Sequence, residues 1–102
     1  MNIALIGYGK MGRAIEEIAL ERGHHITLRI SSTNTHEMTP DNLRMADVAI
    51  EFTNPEAAED NVMKCFESGV SVVCGSTGWN DGISHAKMKA VEMGCAFLPA
   101  SN

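Results

Sequence analysis

The chain has 102 residues, 44% of them hydrophobic, and a formal net charge of −5: enough for one domain with a real core, too little for a second of comparable size. No Lys/Arg cluster offsets the negative balance, which argues against nucleic acid, and no apolar run approaches the ~20 residues of a membrane-spanning helix, which argues against a membrane. The start "MNIALIG" has no basic n-region, apolar h-region or cleavage site, so a soluble, cytoplasmic protein is expected.

Residues 2–6 ("NIALI"), apolar from Ile3 onward, predict a buried strand. A helix is expected from Lys10 to Arg22, with Met11, Ala14, Ile15, Ile18 and Ala19 on one face and Gly23 at its C′ position. "HITLRI" alternates Ile26, Leu28 and Ile30 with Thr27 and Arg29, the pattern of an edge strand that buries one face. The following "SSTNTHEMTPDNLRM" offers at most a short helical turn near Pro40.

"DVAIEF" (47–52) predicts a third strand, and "NPEAAEDNVMKCFESG" a helix with Asn54 as N-cap, Pro55 at its first position and Gly69 at its end. "VSVVC" (70–74) reads as a fourth strand. A helix from about Asp81 to Met93 turns Ile83, Ala86 and Ala90 inward and stops at Gly94, and "CAFLP" gives a fifth strand. Strands alternating with helices predict an α/β, Rossmann-like doubly wound parallel sheet. With the second strand at an edge and right-handed crossovers, the strand order is 2-1-3-4-5. A ligand then binds where that order reverses, between the ends of strands one and three.

The stretch "GYGKMG" (Gly7, Tyr8, Gly9, Lys10, Met11, Gly12) joins the first strand to the first helix. A lone G-x-G-x-x-G is weak evidence, but a strand before it and a helix after it supply the context of a dinucleotide fingerprint. Gly7 permits the tight turn, Gly9 lets a pyrophosphate reach the backbone, and Gly12 lets the helix pack closely. A plain structural turn is the alternative. The acidic residue that grips an NAD ribose is expected about 20 positions on, where Ser31, Ser32, Thr33 and Asn34 stand instead. Hydroxyls, an amide and the neighbouring Arg29 suit a 2′-phosphate better than a carboxylate would, which tilts the cofactor from NAD(H) toward NADP(H).

"IALIGYGKMG", "DVAIEFTNPEA", "VVCGSTGW" and "AFLPASN", in that order, resemble the N-terminal nucleotide-binding domain of the 4-hydroxy-tetrahydrodipicolinate (dihydrodipicolinate) reductase family over essentially the whole chain. The resemblance implies hydride transfer from NADPH or NADH to a cyclic dipicolinate precursor on the diaminopimelate route to lysine. It implies that Gly7 to Gly12 hold the pyrophosphate and that Phe52 and Thr53 line the crevice between the adenosine and nicotinamide halves. Gly75, Ser76 and Thr77 would present backbone groups to the nicotinamide amide, beside Ala100, Ser101 and Asn102. The family more often spaces its first glycines one residue wider than Gly7 and Gly9, and Ser76 stands where Thr is usual.

In that family a second domain supplies a paired-histidine motif, a lysine and the substrate-binding groups. Residues 1–102 contain none of these, so cofactor binding without turnover is expected, and no residue is assigned a catalytic role. His24-His25 enters the second strand at the wrong end of the sheet to stand in. Cys65, Cys74 and Cys95 form no C-x-x-C pair and have no histidine at ligand spacing, so no metal site is expected. The outer edge of the fifth strand would be frayed, aggregation-prone or covered by another copy, so a homo-oligomer is left open. Two other classes compete: a non-catalytic NAD(H)-sensing module, and an S-adenosylmethionine-binding domain, which leaves "GSTGW" unexplained.

Overall fold

In the computed structural model, which describes residues 1–100, the elements run β1 (Asn2–Ile6), α1 (Lys10–Glu21), β2 (His25–Ile30), a 3₁₀ turn (Thr35–Glu37), α2 (Pro40–Leu43), β3 (Val48–Glu51), α3 (Pro55–Glu67), β4 (Ser71–Cys74), α4 (Asn80–Met93) and β5 (Phe97–Pro99). All strand pairs are parallel and the order is β2-β1-β3-β4-β5, as expected from the alternation of apolar runs and helices. The register puts Ile30, Ile6, Glu51, Cys74 and Pro99 in one row, so the carboxyl ends of all five strands finish nearly level.

Local chemistry explains the boundaries. The Asn54 side chain accepts the Ala57 N–H at 2.9 Å and Pro55 opens α3, the N-terminus its sequence predicts. Thr39 caps α2 in the same way, accepting from Asn42 N–H. Gly94 ends α4 in the left-handed region at φ 70°, a conformation that costs a residue with a Cβ.

The two faces of the sheet are unequal. On one, α2, α3 and α4 cover Ala4, Ile6, Ala49, Val72 and Cys74 with Leu43, Val62, Phe66, Ala86 and Ala90, and Phe97 packs edge-on against Phe66 and Trp79 at 5.7 and 6.2 Å. On the other, α1 lies over β1 and β2 and encloses a small cluster of Ile3, Leu5 and Ala19. Along the row Leu5, Ile50, Val73 and Leu98 on that side, exposure climbs from 1% at Leu5 to 37% at Val73 and 66% at Leu98.

The α1 stripe differs from its sequence reading. Met11 and Ile18 are 54% and 51% exposed and Ala14 is exposed, while Gly12 and Ala19 are buried and Ile15 is half-buried. Close approach decides this. A Cβ on Gly12 would stand 2.4 Å from the Gly7 carbonyl oxygen, so the helix meets the sheet through its smallest residues and turns its bulky ones aside.

Candidate functional site

The residue just past each of four strands continues the ladder: Gly7 N–H donates to Ile30 O at 2.8 Å, Phe52 N–H to Ile6 O at 2.7 Å, Gly75 N–H to Glu51 O at 2.8 Å and Ala100 N–H to Cys74 O at 2.7 Å. Four sequence-predicted site residues therefore share one level at the carboxyl edge of the sheet. Beyond them, at the β1/β3 reversal, opens a cleft of about 500 Å³, a size typical of small-molecule sites.

The β1–α1 turn forms one wall with Gly7, Tyr8 and Gly9. Gly7 has φ +108°, and a Cβ there would stand 1.9 Å from the Phe52 carbonyl oxygen, so backbone conformation and crowding both demand glycine. At Gly9 an added Cβ would meet no atom within 4 Å. The bare backbone of Gly9 thus borders open cleft, and as N-cap of α1 it precedes the N–H groups of Lys10, Met11 and Gly12, which a helix leaves without an intrahelical acceptor. Backbone donors at the positive end of a helix dipole suit a phosphate.

The end of β2 forms a second wall. Asn34 Oδ1 accepts Ser31 N–H at 2.6 Å and Asn34 Nδ2 donates to Arg29 O at 2.8 Å, closing a tight loop that leaves Ser32 exposed at the cleft. Among the described residues no carboxylate lines this wall. Arg29 points to the α1 side, where Nε and Nη2 grip the two Glu16 oxygens at 2.7 and 3.0 Å and the guanidinium lies 5.9 Å from the Tyr8 ring, which Arg13 also approaches at 5.7 Å. The ion pair holds the Glu16 carboxyl below its ordinary range and raises Arg29. The guanidinium that the sequence sets near Ser31 is thus committed to Glu16.

Phe52, Thr53 and Asn54 form the third wall, joined by Ala57 and Asn61 from α3. Gly75 lies against Phe52, whose ring would stand 2.0 Å from a Cβ added there. Behind this wall Glu51 is fully buried. Its Oε1 accepts from Ser76 Oγ at 2.7 Å and Cys74 Sγ at 3.3 Å, and its Oε2 from Asn61 Nδ2 at 3.1 Å and from the Thr53 hydroxyl. Burial first, and Glu51 second, push the Cys74 thiol up to about 12.

Seven of the sequence-predicted residues line the cleft together: Gly7, Tyr8, Gly9, Ser31, Ser32, Phe52 and Thr53. Lys10 and Met11 are exposed in the first turn of α1, and Gly12 is buried against Gly7. Ser76 is buried with its hydroxyl on Glu51 and its carbonyl accepting from Trp79 Nε1 at 2.9 Å, while Thr77 is exposed. Ser101 and Asn102 lie outside the described residues. Sequence reading did not place Ile6, Ile30, Thr35, Asn54, Ala57 or Asn61 on the walls. Glu51, the acidic residue of the "EFTNPE" run, was assigned no role from the sequence, although a buried carboxylate must find buried donors.

The family described as "Dihydrodipicolinate reductase, N-terminus" matches residues 1–102. The chain belongs to this family. A 4-hydroxy-tetrahydrodipicolinate reductase of Christiangramia forsetii is 41% identical over 100% of this chain and 42% of its own length. One from Natronomonas pharaonis is 33% identical over 100% and 45%. The chain thus spans less than half the length of these curated relatives. Among solved structures, an imine reductase of Streptomyces aurantiacus superposes with a TM-score of 0.72 at 21% identity, covering 97% of this chain and 40% of that one. A Synechocystis biliverdin reductase in complex with biliverdin and NADP+ gives 0.75 at 13%, over 96% and 37%. At these identities the likeness is one of fold. Membership makes this chain a nucleotide-binding domain of an oxidoreductase family, and among the described residues no helix is long and apolar enough to cross a membrane.

Proposed function

We propose that residues 1–102 form the NAD(P)H-binding domain of a cytoplasmic reductase that acts on a cyclic dipicolinate precursor in lysine and diaminopimelate biosynthesis. The observation that carries this reading is the bare backbone of Gly9 at the helix N-terminus, open to the cleft at the switch point of the sheet. The residues fit a dinucleotide. Gly7 to Gly12 would hold the pyrophosphate, Ser31 and Ser32 would flank the adenosine ribose, and Phe52 and Thr53 would line the passage to the nicotinamide half. Gly75 to Thr77 and Ala100 to Asn102 would border the nicotinamide. When bound, the cofactor supplies the hydride, while these residues orient it and shield one side.

The proposed preference is for NADPH, because Ser31 and Ser32 put no negative charge beside a 2′-phosphate. The substrate-binding and proton-donating groups belong to a second domain, so the chain alone binds cofactor and does not turn over. Titration with NADPH, NADH and S-adenosylmethionine, followed by Trp79 fluorescence, tests this. Trp79 is bonded to the loop of Ser76 and is well placed to report. NADPH binding that Gly9→Ala abolishes in a folded protein is the expected result. Equal affinity in Gly9→Ala, or tight binding of S-adenosylmethionine alone, would refute the assignment.

A further inference from the structure

We propose that Glu51 is the positioning residue of the cleft, a buried carboxylate that fixes Thr53 and Asn61 in place from behind. The inference rests on the dinucleotide reading above, since it concerns the wall that the cofactor would touch. Glu51 is fully buried and does not itself line the cleft, whereas Thr53 and Asn61 do.

The hydrogen-bond directions are set by the neighbours. Ser76 Oγ accepts the Thr53 N–H at 2.9 Å, which leaves the serine proton to donate to Glu51 Oε1. Thr53 Oγ1 lies 3.4 Å from Asn61 Nδ2 as acceptor, which leaves the threonine proton to donate to Oε2. Asn61 Nδ2 and Cys74 Sγ complete the set, two donors on each oxygen. Every partner donates and none is a cation, so the site is built for a group that only accepts. Among the described residues no buried side-chain nitrogen or oxygen is left without a partner.

The consequence is mechanical. Ser76 belongs to the β4–α4 loop, Thr53 to the β3–α3 loop and Asn61 to the second turn of α3, so one carboxylate ties three separately encoded segments to the end of β3. Ser76 also passes the constraint to the backbone amide of Thr53. In Glu51→Gln, the amide NH₂ must face either Ser76 and Cys74 or Thr53 and Asn61. One pair of donors is then opposed by another donor, and one side of the wall is released.

The test compares the wild-type chain, Glu51→Gln and Glu51→Asp by NADPH titration and by amide hydrogen exchange at Thr53 without ligand, well below the thermal unfolding transition of each. Glu51→Gln is expected to weaken NADPH at least tenfold and to speed Thr53 exchange, while exchange in the β1 core stays slow. Glu51→Asp, still acceptor-only, should recover part of both. A merely structural role would lower the unfolding midpoint and leave affinity unchanged. That result, or unaltered Thr53 exchange, overturns the proposal while wild-type binding keeps the dinucleotide reading intact. Failure of the wild-type chain to bind NADPH overturns both. If Glu51→Gln does not fold, Ser76→Ala removes only the hydroxyl bridge and is read by the same two measurements.

Discussion

The two faces of the sheet solve different problems. The face under α2, α3 and α4 is closed from β2 to β5, while the α1 face is closed at β1 and opens steadily toward β5. Stability therefore concentrates on one side. The cleft lies at the carboxyl edge, with the α1 turn on one side of it and the head of α3 on the other. The difference teaches that the closed layer supplies most of the buried core, while the α1 side contributes one helix terminus and little core.

The sharpest way to break this arrangement is Gly7→Ala, because the new Cβ would meet the Phe52 carbonyl at 1.9 Å in a left-handed backbone. A loss above about 4 kcal/mol, or no folded protein, is expected in urea unfolding. Phe66→Ala, on the closed face, should cost about 3–5 kcal/mol by leaving a cavity beneath Phe97.

High pH probes the same face. Burial pushes the Cys65 and Cys74 thiols up to about 12. As pH rises past about 9 the unfolded chain releases protons that the folded chain keeps, so stability should fall progressively until the folded thiols ionise near 12. Cys74→Ala should flatten that slope in pH-dependent unfolding. The smallest effect belongs to the open face. Leu98→Ser, at a side chain already 66% exposed, should change stability by no more than about 0.5 kcal/mol. A loss as large as that of Phe66→Ala would show that the two faces are equivalent after all.

Strand order, parallel pairing and the place of the cleft were legible because the strands are short apolar or alternating runs and the three long helices begin or end on Asn54-Pro55, Gly23, Gly69 or Gly94. The inward stripe of α1 was not, because periodicity ranks residues by hydrophobicity while the contact was decided by size at Gly12 and Ala19. The α3 wall was missed for a related reason. Asn54 read as a cap and is one, with its 2.9 Å bond to Ala57, but it also faces the cleft, and no local pattern announces a second role. Glu51 depends on partners 2, 10, 23 and 25 positions away, a separation at which only the folded chain brings donors together.

The contact between Phe52 and Gly75 couples two positions that are distant in sequence, because a Cβ at 75 would stand 2.0 Å from the ring. Any drift to a larger residue at 75 must await, or follow at once, a shrinking of the ring at 52. Alanine at 75 should be harmful in the present background and far better tolerated beside alanine at 52, so the order in which such changes can be combined is constrained.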